Sequence, residues 1–193
     1  MRPRLLPLAA GFYLLLGSAG AIWIGLARGG PIPVTLFLRP AALGGDLLAG
    51  VAAGAGLLAL WAAGRRWLPL ARRLERRLAA ALAGTSPEEA LVLALLSALT
   101  EEVFFRGAVQ GTFGLWPATL LFALLHSGPR RDLVLWGAFA LVAGLVCGAL
   151  VVLRGQLAPA IAAHFLVNAV GLRRLASAAP APVENGDLPP PLC

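Results

Sequence analysis

Long apolar runs dominate the chain, and short polar or arginine-containing segments separate them. A membrane-spanning helix needs about 20 mostly apolar residues, and most of these runs reach that length. The pattern predicts six spans, at residues 5–27, 41–63, 89–111, 115–127, 133–153 and 157–175. The fourth is short and is expected to be tilted or partly re-entrant. The sequence therefore predicts an all-α fold, a polytopic membrane helical bundle.

Residues 1–178 are predicted to form a single integral membrane domain. The Pro-rich segment 179–193 has no apolar period and is predicted to be a mobile tail. The first span has an alternative, because Arg2, Arg4 and the small residues 19–21 are also typical of a cleaved signal peptide. Its apolar stretch continues as far as Leu26, and this length favours a retained span.

Residues 67–83 form a different pattern. Leucines recur at helical spacing, and arginines occupy the other face; the leucines are Leu70, Leu74, Leu78 and Leu82. This predicts a basic amphipathic helix lying on the inner leaflet, with Arg65–Arg77 attracted to anionic lipid. A solvated linker is the alternative, and the leucine spacing favours the interfacial helix.

Composition agrees with a membrane protein. Apolar residues make up 59% of the chain and charged residues only 13%, whereas soluble domains average about half and about a quarter. These values exclude a soluble globular domain and a disordered chain. The net charge of +7 does not point to nucleic acid, because the arginines lie at the ends of apolar runs. The two cysteines are too few for a disulfide framework.

The arginines also predict orientation, since cytoplasmic loops of membrane proteins are enriched in positive charge. If the N-terminus is cytoplasmic, only Arg28, Arg39 and Arg154 fall in outer segments, and the other loop arginines fall inside. Both termini are thus predicted to be cytoplasmic. The basic residues are all arginine, which suggests a GC-rich coding sequence and a prokaryotic inner membrane.

Ionisable groups inside predicted spans are costly and indicate function. The acid pair Glu101–Glu102 lies in the third span, and Arg106 follows Glu102 at the i,i+4 spacing of a helical ion pair. Glu101 projects about 100° away from its neighbour. We expect Glu101 to face a cavity, where it is suited to act as a general base. A purely structural network of two acids and an arginine is the alternative.

The two histidines of the chain lie in two other predicted spans. His126 follows Phe122 by one turn, and His164 shares a helix face with Asn168. Residue counts place Glu101, His126 and His164 at similar depths near the middle of the bilayer. A single histidine in a span is more often a structural hydrogen-bonding group. Two histidines, an asparagine and an acid pair in three spans instead favour one shared site.

These three motifs, in this order, resemble the CPBP family of intramembrane endopeptidases, also called the CAAX protease and bacteriocin-processing or Abi family. The motifs are Glu-Glu-x-x-x-Arg at 101–106, Phe-x-x-x-His at 122–126 and His-x-x-x-Asn at 164–168. The resemblance covers about residues 86–172, the motif-bearing core. It implies hydrolysis of a peptide bond in a membrane-associated peptide or protein.

The resemblance also implies roles for six residues. The catalytic residues would be Glu101, His126, His164 and Asn168, with Glu102 and Arg106 in support. Glu101 would activate a water that it shares with His126. The motif on the last span would stabilise the oxyanion of the tetrahedral intermediate. The supporting ion pair would hold Glu101 in place.

The part played by a metal is open at this stage. Glu101, His126 and His164 are a possible two-histidine, one-carboxylate zinc set. The His-Glu-x-x-His helix of common zinc proteases is absent from the sequence. Asn168 is a poor zinc ligand and a good oxyanion donor, which favours a metal-free site. No cofactor is therefore favoured, with zinc as the alternative.

Two other classes of function remain as alternatives. One is a non-proteolytic membrane scaffold or bacteriocin-immunity protein, in which the motifs only hold helices together. The other is a small transporter, because mid-membrane acids and histidines also mark ion paths. A repeated pair of broken helices, typical of many transporters, is absent from the sequence, which disfavours the second.

Overall fold

The structure is a computed structural model that describes residues 5–178. Its helices are α1 (Leu5–Arg28), α2 (Val34–Phe37), α3 (Leu43–Trp67), α4 (Pro69–Ala81), α5 (Pro87–Glu101), α6 (Gln110–Phe113), α7 (Leu115–Leu125), α8 (Arg131–Arg154) and α9 (Ala158–Ser177). A 3₁₀ turn precedes α3, and a π-helical segment, Glu102–Val109, joins α5 to α6. The part of the chain described contains no strand, and the predicted all-α class is confirmed. Arg2, Arg4 and the predicted tail lie outside the described residues.

Three stretches have the length and composition of membrane spans: Leu6–Arg28, Val34–Trp67 and Arg131–Arg154. α7 is apolar but shorter, and α9 and the helix that starts with α5 carry ionisable residues. Many large apolar side chains, such as Leu26 and Leu153, point outward, as is expected of a surface that meets lipid. The chain is an integral membrane protein. The number of crossings and the orientation stay predictions.

Close helix packing depends on glycines, as is common between membrane helices. A Cβ atom at Gly54 of α3 would lie only 2.9 Å from the carbonyl oxygen of Ala163 in α9. A Cβ atom at Gly20 of α1 would lie equally close to the Cα atom of Phe104 in the π-helical segment. These contacts let α3 pack against α9, and they let α1 pack against both α5 and the π-helical segment. The predicted motifs therefore have a neighbouring helix on two sides.

The helix predicted within residues 67–83 is present as α4, and part of the apolar face that was expected to meet lipid packs against other helices instead. Leu74 and Ala71 are fully buried, because α4 packs against α3, α8 and α9. Arg77 forms an ion pair with Asp132 at the start of α8, with 2.8 Å between Nε and Oδ2. Leu74 and Leu82 of the leucine stripe are therefore buried by protein, Leu70 and Leu78 are half-buried, and the exposed residues of α4 include Arg72, Arg73 and Arg76.

A polar cluster fixes the opposite end of α8. Asp46, in the first turn of α3, is fully buried and accepts hydrogen bonds from Arg154 and Gln156. The backbone N–H of Leu157 donates to the carbonyl of Leu36 nearby. These bonds attach the short α2 region and α3 to the connection between α8 and α9, and so fix where α9 begins.

Candidate active site

The acid pair lies where α5 changes from α-helical to π-helical geometry. Glu101 is the last residue of α5, and Glu102 is the first of the π-helical segment, which also contains Arg106. Both carboxylates are buried. π-Helical turns are rare in proteins, and those that occur are often found at functional sites. The sequence offered no sign of this change in helix type, since a continuous span was predicted there.

The ion pair predicted from the i,i+4 spacing is present. Arg106 Nε lies 3.3 Å from Glu102 Oε2, and both side chains are almost completely buried. A second Arg106 nitrogen donates to the carbonyl of Gly144 in α8, and the guanidinium lies 4.6 Å from the ring centre of Phe122. The Glu102 carboxylate also hydrogen-bonds His164 Nδ1 at 2.7 Å. Glu102 thus joins the π-helical segment to α9, a contact that the sequence did not predict.

Glu101 lies between the two imidazoles. Its Oε2 atom is 3.8 Å from His126 Nε2 and 3.9 Å from His164 Nε2. The structure therefore places both imidazoles next to one oxygen of Glu101, although the three residues were predicted to lie in separate spans. These separations exceed a hydrogen-bond length, so no direct bond joins them. Among the described side chains, this oxygen is buried and has no hydrogen-bond partner.

The position of His126 fixes which of its nitrogens faces Glu101. His126 directly follows α7, and its Nδ1 lies 2.8 Å from the carbonyl oxygen of Phe122. A carbonyl only accepts, so Nδ1 must carry the proton and donate it. In the neutral imidazole, Nε2 is then the free acceptor that faces the carboxylate. About a fifth of the His126 side chain is exposed, so the site can be reached from outside.

Asn168 lies one turn after His164 on α9, and its Nδ2 donates to Ser97 Oγ at 2.8 Å. Ser97 in turn donates to the carbonyl of Ala94. Its contact with Asn168 depends on the packing of α9 against α5, which no local pattern reveals.

A cavity of about 70 Å³ adjoins these groups, which is enough for more than one water molecule. Its polar wall contains Glu102, Arg106, His126, His164 and Asn168. Apolar side chains, mostly from α8, form the rest of the wall. Glu101 is not among the residues that line this cavity, but the two imidazoles beside its carboxylate, those of His126 and His164, are.

Glu101 lies farther from the two imidazoles than the ligands of a bound zinc ion lie from one another. Neighbouring ligands of a tetrahedral zinc ion lie about 3.3 Å apart, given bonds of about 2.0 Å. The Glu101 carboxylate is farther than this from both imidazoles. Within residues 5–178, no three His, Cys, Asp or Glu side chains form a group able to hold a metal ion.

The fold and site define a class: a helical membrane protein with a carboxylate, two imidazoles and an ion pair buried together. Residues 84–170 match the family model described as Type II CAAX prenyl endopeptidase Rce1-like. This match contains all three motifs, and the family resemblance is confirmed. α1, α3 and α4 lie outside the matched segment.

One relative is YpbD of Bacillus subtilis (strain 168), described as an uncharacterized protein. It is 39% identical over 82 residues, which cover 42% of this chain and 42% of YpbD. The similarity therefore spans less than half of that relative. No solved structure gives a significant match.

Proposed function

We propose that this protein is an intramembrane endopeptidase that hydrolyses a peptide bond of a membrane-associated peptide or protein. The observation that carries the proposal is the position of Glu101 Oε2, 3.8 and 3.9 Å from two imidazole nitrogens. The match to a family of endopeptidases supports it. Nothing in these contacts favours the scaffold or the transporter.

In the first step, a water held between Glu101 and His126 attacks the scissile carbonyl carbon. Both groups are acceptors, so the water can donate one hydrogen bond to each. Glu101 takes the proton of the attacking water as the new C–O bond forms. An acceptor without a protein donor, such as Glu101 Oε2, is suited to this task.

The tetrahedral intermediate carries an oxyanion, which His164 and Asn168 would stabilise. The Glu102 carboxylate at His164 Nδ1 stabilises a positively charged imidazolium, which presents an Nε2–H donor. Asn168 Nδ2 has two hydrogens, and Ser97 accepts only one. Glu101 then passes its proton to the leaving nitrogen as the C–N bond breaks. This regenerates the carboxylate.

The test uses the full chain in lipid nanodiscs and fluorescence-quenched peptides. One probe set ends in cysteine, two aliphatic residues and a final residue, with and without a farnesyl group on the cysteine. A second set is embedded as single apolar helices. We expect the wild-type protein to cleave members of one set. If it cleaves neither set, the endopeptidase proposal is contradicted.

Both imidazoles are expected to be essential. His126→Ala and His164→Ala should each lower the rate of cleavage by about 100-fold or more, since each removes a group that contacts the water or the oxyanion. Ser127→Ala, next to His126 and exposed, is the matched control and should retain the wild-type rate. The measurement is kcat at equal amounts of folded protein. Normal cleavage by either histidine variant would remove it from the mechanism.

The site is proposed to work without a metal. Protein treated with a strong chelator is expected to keep its cleavage rate and to carry no stoichiometric zinc by elemental analysis. The matched control is chelated protein to which zinc has been returned, which should be no faster. Activity that is lost to the chelator and restored by zinc would establish a metalloprotease instead.

We also propose that the exposed arginines of α4 and of the end of α3, within Arg65–Arg77, bind anionic lipid headgroups of the inner leaflet. Arg72, Arg73 and Arg76 are exposed, whereas the apolar face of the helix is covered by the bundle. Charge rather than inserted leucine side chains would then hold α4 at the membrane surface.

A further inference from the structure

The cavity beside the acid pair has a polar wall and an apolar wall. The polar wall includes His126, His164 and Asn168, the groups assigned to the water and the oxyanion. Most of the apolar wall comes from one face of α8, whose residues recur at helical spacing: Trp136, Phe139, Ala140, Ala143 and Cys147. A peptide whose scissile carbonyl lies at the polar wall therefore has an apolar surface within reach of its adjoining side chain.

Small residues of α8 leave space in the apolar wall. Ala140 and Ala143 end at Cβ, whereas the other residues of this face have longer side chains. Ala140 is buried in a cluster with Phe105 and Phe122. Ala143 is half-buried and lies outside that cluster. Position 143 is therefore the one at which a longer side chain would take up cavity space without crowding these two rings.

The volume of the cavity limits the side chain that it can hold. An apolar cavity of about 150 Å³ holds one benzene molecule. The cavity here measures about 70 Å³, which is less than half of that volume. Space of this size accommodates a methyl or an isopropyl group. It excludes an aromatic ring, and it excludes a farnesyl chain.

We propose that this cavity is the specificity subsite of the hydrolytic site. It receives the side chain of the residue that supplies the scissile carbonyl, and Ala143 limits that residue to alanine, valine or one of similar size. Glycine leaves the apolar wall uncovered, whereas an aromatic ring does not fit between α8 and His164. This inference rests on the proposed function and names the class of peptide that the site cleaves.

The first test varies one residue of whichever probe peptide the wild-type protein cleaves. Mass spectrometry of the products identifies the residue that supplies the scissile carbonyl, and this residue is changed to glycine, alanine, valine, leucine and phenylalanine. One surplus or missing methylene group in an apolar pocket changes kcat/KM about 10- to 200-fold. We expect kcat/KM for valine to exceed the values for glycine and phenylalanine about tenfold or more. Equal values across the series, or cleavage after a farnesylated cysteine, would overturn the inference.

The second test changes the wall of the cavity. Ala143→Leu fills the space and should lower the ratio of kcat/KM for the valine peptide to that for the glycine peptide about tenfold or more. Ala143→Gly enlarges the space and should raise the ratio for the leucine peptide to the valine peptide by a similar factor. This second variant keeps the test decisive if the larger side chain prevents folding.

The matched control is Ala138→Leu, which adds the same group to the exposed face of α8 and should leave both ratios unchanged. Wild-type ratios in the folded Ala143 variants would overturn the inference. If the wild-type protein cleaves no probe peptide, the proposed function fails and the subsite falls with it. If the wild type cleaves without a preference for size, the proposed function stands and the subsite alone is wrong.

Discussion

Glu101→Gln is expected to lower kcat for peptide hydrolysis about 10³-fold, because glutamine cannot take a proton from the attacking water. The substitution keeps the size of the side chain. Helix packing and membrane level should therefore stay as in the wild type. The measurement is cleavage of the probe peptide at equal amounts of folded protein.

The matched control for this change is Glu88→Gln, which makes the same chemical change at an exposed position in the first turn of α5. It should retain the wild-type rate. Retained cleavage by Glu101→Gln would contradict the mechanism and favour the scaffold alternative, in which the acids only hold helices together.

The second large effect is on stability. Arg106→Met should lower the free energy of unfolding by about 3–5 kcal/mol, because it removes the buried guanidinium that pairs with the Glu102 carboxylate. The measurement is the midpoint of thermal unfolding in detergent, followed by loss of helical signal. The protein should also accumulate to a lower level in the membrane.

A double variant separates charge from packing. Glu102→Gln combined with Arg106→Met removes both charges, and the amide oxygen can still accept from His164 Nδ1. It should recover most of the lost stability. If Arg106→Met unfolds at the wild-type temperature, the buried ion pair does not stabilise the helix packing. The same conclusion follows if the double variant is no more stable than Arg106→Met.

The helices themselves follow from local pattern. The span predicted at 133–153 corresponds to α8, Arg131–Arg154, because charged residues end the apolar run on both sides. The span predicted at 41–63 ends later, at Trp67, since Gly64 and the arginines after it continue the helix without a break. The length of an apolar run and the charged residues that flank it therefore predict where a helix lies, with errors of a few residues at its ends.

Contacts within one helix were also predictable. Glu102 and Arg106 form an ion pair because side chains four residues apart lie close to one face of the helix, in a π-helical turn as in an α-helical one. The meeting of Glu101 with His126 and His164 was expected only from residue counts and family motifs. The distances from Glu101 to the two imidazoles depend on how α7 packs against the π-helical segment and how α9 packs against α5, which the sequence pattern does not reveal.

Contacts between helices were not predictable from pattern. The bond between His164 and Glu102 and the bond between Asn168 and Ser97 depend on how α9 rotates against α5. The leucine stripe of α4 was assigned to lipid for a related reason: an amphipathic pattern shows that a face is covered and does not show by what.

The most direct test of the central claim is mass spectrometry of the cleavage products formed in water enriched in ¹⁸O. Wild-type protein, compared with Glu101→Gln in the same nanodiscs, should produce two peptides with one ¹⁸O atom in the new C-terminal carboxylate, and the variant should produce almost none. Intact peptide with the wild-type protein, or equal labelled product from both proteins, would contradict the account of Glu101 as the base that activates water.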